Sequence, residues 1–149
     1  MKSVRNALNR RAKGEKGFTL VELLVVVIII GILSAVAVPI YLNQRKAAWN
    51  STIQSDVKNA SLVVETAMTA NNGKFDANWG GNYTTGKTTL GAGKGNTDQE
   101  ITVSKGVTIT IAKGADSNNY TITGKDDNSG TKQYTYDSAN GAISESAKK

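Results

Sequence analysis

No cysteine and no histidine occur among the 149 residues. Their absence removes thiol nucleophiles, Cys or His zinc sites, imidazole general bases and any Ser-His-Asp triad, which closes most routes to catalysis before the order of residues is read. Disulfides are excluded too, so an exported chain of this composition must hold together by packing alone. Acidic charge is scarce at the N-terminus: residues 1–17 hold six bases (Lys2, Arg5, Arg10, Arg11, Lys13 and Lys16) against Glu15 alone. The whole chain has 18 Lys plus Arg and 12 Asp plus Glu, net +6, so the part after residue 17 is nearly neutral. A basic body built to wrap nucleic acid is thereby disfavoured.

What is present in quantity is apolar sequence near the N-terminus. The residues from Leu23 to Leu42 carry no charge, and a helix of about 20 residues spans roughly 30 Å, the thickness of a bilayer core. The bases before this run outweigh Arg45 and Lys46 after it, so the positive-inside rule leaves the N-terminus in the cytoplasm and sends the C-terminal body across. A secretory signal has a similar layout, and Ser34-Ala35-Val36-Ala37 offers an A-x-A-like cleavage site. Two features argue otherwise. Glu22 opens the run, where a carboxylate in hydrocarbon costs on the order of a few kcal/mol and an export signal has no use for it. Apolar character also continues past Pro39, the one proline, through Ile40, Tyr41 and Leu42. A plain membrane anchor leaves Glu22 equally unexplained.

The stretch Lys16-Gly17-Phe18-Thr19-Leu20-Val21-Glu22-Leu23-Leu24 resembles the processing site of class III signal sequences, those of type IV pilins and type II secretion pseudopilins. The resemblance covers roughly residues 14–60. It implies removal of a basic leader, residues 1–17, by a prepilin peptidase that cuts between Gly17 and Phe18 and methylates the new amine of Phe18. It implies that residues 18–44 are a transmembrane and assembly helix and that residues 45–149 carry a second helical stretch and a β head. Thr19, Glu22, Gly31 and Pro39 are the implied assembly residues. Glu22 would be neutralised by the Phe18 amine of a neighbouring subunit, a pair that selects register. Pro39, which lacks an amide hydrogen and clashes with the preceding turn, should kink or open the helix, and Gly31 adds a weak point. The implied partners are identical or related pilin subunits, the peptidase and a pilus assembly platform in the membrane. The expected product is an extracellular filament for adhesion, motility or DNA uptake, or else a pseudopilus of a secretion or competence system. Lack of the C-terminal disulfide loop usual in Gram-negative pilins makes a Gram-positive source the expectation.

Beyond Leu42 the pattern turns amphipathic: Trp49, Ile53, Val57, Ala60, Val64 and Ala67 or Met68 recur at helical spacing, which predicts one helix to about Asn71 with Trp49 as a packing anchor. Asn71-Asn72-Gly73 ends it. Residues 73–96, rich in Gly, Thr and Asn, read as a long exposed loop. Alternating runs at 100–103, 107–112, 120–123, 133–136 and, weakly, 142–144 predict an antiparallel meander. The expected fold class is α+β, a long N-terminal helix packed on a small antiparallel sheet.

Three local matches are weighed against function. Residues 81–88 fit the phosphate-loop pattern G-x-x-x-x-G-K-[ST], but no strand precedes them and no helix can follow, so nucleotide binding is not expected. Asp126, Asp127 and Asn128 carry oxygen ligands, and the heads of type II secretion pseudopilins bind calcium; these residues also make a good hairpin turn, the preferred reading. Lysines of the head could touch DNA, but acids lie among them and they read as a solvated surface. No enzymatic activity is expected.

Overall fold

The structure, a computed structural model, describes residues 17–94, 97–116 and 118–149; the expected basic leader lies outside the described residues except for Gly17. The chain divides into two units, one ending at Asn43 and one comprising Gln44–Lys149. Helix α1 (Leu20–Ala70) contributes residues to both.

In the first unit α1 consists almost wholly of Leu, Val, Ile and Ala, and none of its residues is buried. In the second unit the same helix buries one stripe: Ile53, Asp56, Val57, Ala60, Ser61, Val64, Ala67 and Met68. Spacings of three and four place these on one face, and each large aliphatic residue buried there contributes roughly 1.5–3 kcal/mol. The helix ends where Asn72 and Gly73 take positive φ (56° and 76°) and the Gly73 amide donates to the Met68 carbonyl at 2.8 Å, a left-handed termination of the kind Asn and Gly favour.

Seven strands follow: β1 (Gly81–Tyr83), β2 (Gly86–Thr89), β3 (Glu100–Val103), β4 (Val107–Lys113), β5 (Tyr120–Asp126), β6 (Lys132–Asp137) and β7 (Ala142–Ala147). Five form one sheet in the order β1-β4-β5-β6-β7, while β2 and β3 form a separate ribbon. Every pairing is antiparallel. Inward positions alternate along the strands, so Ile109 and Ile111 of β4 and Tyr120 and Ile122 of β5 meet the helix stripe in a single core. The fold is α+β, as the sequence implies.

The close approach of helix and sheet centres on Gly124. This residue occupies an inward position of β5, and a Cβ there would lie 2.5 Å from Val57 Cγ2 and 2.7 Å from Ile53 Cγ2. Only a glycine leaves room for the helix at that level.

Several expectations are corrected. Residues 73–96 are not an exposed loop: Phe75, Trp79, Tyr83 and Leu90 are all buried, with a 3-10 turn at Ala77–Trp79 and strands β1 and β2 between them. Four large apolar side chains scattered among Gly, Thr and Asn give no periodicity, yet their burial outweighs the loop-like composition. Phe75 packs edge-on to Trp79 (centroids 5.5 Å apart) and stacks on Tyr120 at 5.6 Å. The Tyr83 hydroxyl donates to the Trp79 carbonyl at 2.8 Å and accepts from the Gly91 amide at 2.9 Å. Residues 100–103 do not join the meander but pair with β2. Trp49 is half-buried rather than a core anchor, and the Arg45 guanidinium lies over its ring at 4.8 Å. The third expected run, 120–123, continues through Gly124 to Asp126.

One buried acid ties the helix to the ribbon's far end. Asp56 accepts hydrogen bonds from the Ser104 amide at 2.8 Å and its hydroxyl at 3.0 Å. Paired in this way, a carboxylate can lie in an otherwise apolar stripe without the desolvation penalty of an unmet charge.

Candidate functional site

The residues singled out for processing and assembly lie at the start of α1. Gly17, Phe18 and Thr19 have no regular structure, and the helix begins immediately after them, at Leu20. Thr19 is its N-cap: the Glu22 amide donates to Thr19 Oγ1 at 3.1 Å, while the Thr19 carbonyl accepts from the Leu23 amide at 3.1 Å. A hydroxyl in this position satisfies one of the donors that a helix leaves without an internal partner. The capping role of Thr19 is absent from the sequence expectations, although the Thr19-x-x-Glu22 spacing is a cap signature.

Glu22 is thereby fixed in the first helical turn, the one acid there, and it is exposed. Phe18, Glu22, Leu23 and Val26 line a shallow groove on one side of the helix start. The bond between Gly17 and Phe18 lies outside the helix, in exposed extended chain, and such a bond is open to a peptidase in a way that a hydrogen-bonded helical bond is not. In the intact chain the Phe18 nitrogen is an amide; only after cleavage would it be an amine able to meet a carboxylate.

Downstream, the large apolar residues from Phe18 to Leu42 are between 47% and 87% exposed. So large a contiguous apolar surface is not tolerated in water and requires lipid or other protein around it. α1 passes through Gly31 and Pro39 as one uninterrupted helix. A Cβ added at Gly31 would meet nothing within 4 Å, so no neighbour in the chain requires a glycine there. Pro39 provides no amide hydrogen for the carbonyl four residues earlier, that of Ala35.

The other matches fall elsewhere. Residues 81–88 form β1, a two-residue connection and the first part of β2, which belong to different sheets. Lys87 faces Thr102 across the ribbon, and no helix follows to aim amides at a phosphate. Asp126 closes β5, and its Oδ1 accepts from the Asn128 amide at 2.7 Å and the Asn128 side-chain amide at 2.6 Å. Among the described residues no three His, Cys, Asp or Glu converge in a group able to hold a metal. Calcium at Asp126, Asp127 and Asn128 would have to compete with Lys148, whose ammonium already donates to the Asp126 and Asn128 carbonyls.

Comparison with known proteins places the similarity on this same N-terminal region. A family model described as the prokaryotic N-terminal methylation motif matches residues 12–38. The chain is 43% identical over 54 residues to a type IV major fimbrial protein FimA of Dichelobacter nodosus, covering 36% of this chain and 35% of that protein. It is 41% identical over 56 residues to a fimbrial protein of Pseudomonas aeruginosa, covering 38% and 36%. A fimbrial protein of Neisseria meningitidis serogroup B is 35% identical over 117 residues, covering 74% of this chain and 62% of that protein. The matched region thus spans about a third of the length of the first two relatives and under two thirds of the third. No solved structure matches the chain significantly.

Proposed function

We propose that this chain, which belongs to the type IV pilin family through its N-terminal segment, is a structural subunit of a type IV pilus. The observation that carries the reading is the junction at the start of α1. A scissile Gly17-Phe18 bond in extended chain, a capped helix start with Glu22 in its first turn, and an apolar helix with none of its residues buried follow one another without a gap. The fimbrial names of the relatives favour a pilus over a pseudopilus.

In this reading the subunit waits in the cytoplasmic membrane with its N-terminus inside. Prepilin peptidase hydrolyses the Gly17-Phe18 bond and the new Phe18 amine is methylated. Because the cut precedes the apolar helix, the mature subunit keeps it, and on leaving the lipid that surface must be covered by the same surface of other subunits. Bundled helices exclude water, so each Glu22 carboxylate requires a counter-charge; the Phe18 amine of a neighbouring subunit supplies it. An unpaired partner would cost about 3–5 kcal/mol, which makes the pair a check on axial register more than a source of net stability. Pro39 and Gly31 would let the helix open locally in the filament, a change for which the free Ala35 carbonyl is the natural starting point.

The test is the N-terminal residue and intact mass of the protein extracted from membranes and from sheared filaments. A chain starting at Phe18 with one added methyl group is expected. A start near Val38 would make it a secreted protein and a start near Met1 a plain anchor, and either would overturn the proposal.

A further inference from the structure

Strand β7 is held by little. All six of its residues are exposed, it pairs on one side only with β6, and its other edge is open. Its register ends with Lys132 opposite Ala147, which brings Lys148 one step past the ladder, beside the turn that joins β5 to β6. There the Lys148 Nζ donates to the carbonyl of Asp126 at 2.8 Å and to that of Asn128 at 3.0 Å. Both carbonyls are already drawn to the inside of the turn. The Thr131 hydroxyl donates to the Asn128 carbonyl at 2.7 Å and lies 3.4 Å from that of Asp126, and the side chains of Asp126 and Thr131 are themselves buried. The turn is fixed to the helix as well: Asn50 Oδ1 accepts from the Lys132 amide at 2.9 Å, and the aliphatic part of Lys46 lies against Gly130.

We propose that Lys148 is the resident cation of the β5–β6 turn, and that its ammonium is the clasp that keeps β7 on the sheet. Converging carbonyl oxygens form an electronegative concavity suited to a cation. Here a side chain of the same chain provides that cation, so the turn closes without a metal. The clasp links two points 22 residues apart, Asp126 and Lys148, around the whole β6–β7 hairpin. In a chain without cysteine it does by charge-assisted hydrogen bonding what a covalent cross-link could do, and unlike a cross-link it can reopen.

Hydrogen exchange on the full-length chain in detergent micelles, with Lys148→Gln and Lys149→Gln compared with the unaltered protein, tests this. Losing a charged hydrogen bond at a strand end should speed exchange of the β7 amides, 142–147, by about tenfold while those of β4 and β5 keep their rates. Lys149→Gln should leave all of them unchanged. Calcium chloride should not slow β7 exchange in the unaltered protein. The proposal fails if Lys148→Gln leaves β7 protected, if it speeds all strands equally, if Lys149→Gln acts as strongly, or if calcium protects the unaltered chain.

Discussion

Replacing Gly124 by alanine probes the closest contact in the second unit. The added carbon would lie 2.5 and 2.7 Å from the γ-methyls of Val57 and Ile53, whereas carbon atoms pack comfortably at about 3.5–4.0 Å. Both neighbours are β-branched and nearly locked at χ1 in a helix, so neither can swing away. The helix must then lift from the sheet by about 1 Å, a form of overpacking that costs roughly 1–3 kcal/mol. Against this, alanine in a strand regains up to about 1 kcal/mol of the backbone entropy that glycine loses. The net expectation is a destabilisation of about 1–2 kcal/mol, or a Tm lower by roughly 5–15 °C for a unit of this size. Near-ultraviolet circular dichroism, which reports the packing of buried Trp79 and Tyr120, would follow the melt of the full-length chain in detergent. Val57→Ala removes the offending methyl, so Gly124→Ala and Val57→Ala together should destabilise less than the sum of the two by about 1 kcal/mol or more. A Gly124→Ala protein with an unchanged Tm, or strictly additive losses in the double variant, would refute the argument that this glycine sets the helix-to-sheet distance.

Glu22→Ala should leave cleavage intact and reduce the amount of subunit in sheared filaments well over tenfold, since removing one partner of a buried pair costs about 3–5 kcal/mol; normal filament yield would remove the register role. Gly17→Val should leave a chain that retains its leader, visible as the uncut mass in membrane extracts, whereas normal processing would move the scissile bond elsewhere. Tyr120 and Tyr83 both lie above the ordinary tyrosine value near 10, pushed up first by burial and, for Tyr120, also by the hydrogen bond its hydroxyl donates to Glu65. The folded chain therefore holds protons that the unfolded chain releases above about pH 10. Stability is unaffected below that pH and falls as pH rises past it, by up to about 1.4 kcal/mol per unit for each tyrosine. Urea midpoints measured from pH 9 to 11.5 should show this fall, and Tyr120→Phe should make it shallower; an equal slope in that variant would place the titration elsewhere.

The sequence reveals most where periodicity is strong. Ile53, Val57, Ala60 and Val64 announce a helix face because each is apolar at its turn of the spiral, and Val107, Ile109 and Ile111 announce a strand because they alternate. It reveals least where burial is achieved by isolated residues. Trp79 and Leu90 are separated by 11 positions of mostly Gly, Thr and Asn, and no window containing one of them looks like a core. Strand β2, Gly-Lys-Thr-Thr, exists because β3 needs a partner, a reason that lies outside its own residues. Gly124 reads locally as a strand's end but serves as a gap for another element, and Asp56 reads as the polar side of a helix until Ser104 is brought to it. At the candidate site the motif itself was legible in full; the capping bond from Thr19 to Glu22 was legible only in spacing.

The Thr19 cap also bears on how Glu22 can exist in a membrane before any partner arrives. The amide dipoles of a helix add up to about half a positive charge at its N-terminus, and an acid in the first turn gains roughly 0.3–1 kcal/mol from it, more where water is scarce. Because the cap fixes the start of α1 at Leu20, Glu22 falls within that turn and faces the positive pole of its own helix. The lone subunit's carboxylate is thus partly compensated from within. After cleavage, an amine at Phe18 would be repelled by the same pole and would gain from a carboxylate beyond its own chain. The helix end is therefore a polarised terminal: it shelters the anion of a waiting subunit and makes the new cation seek another.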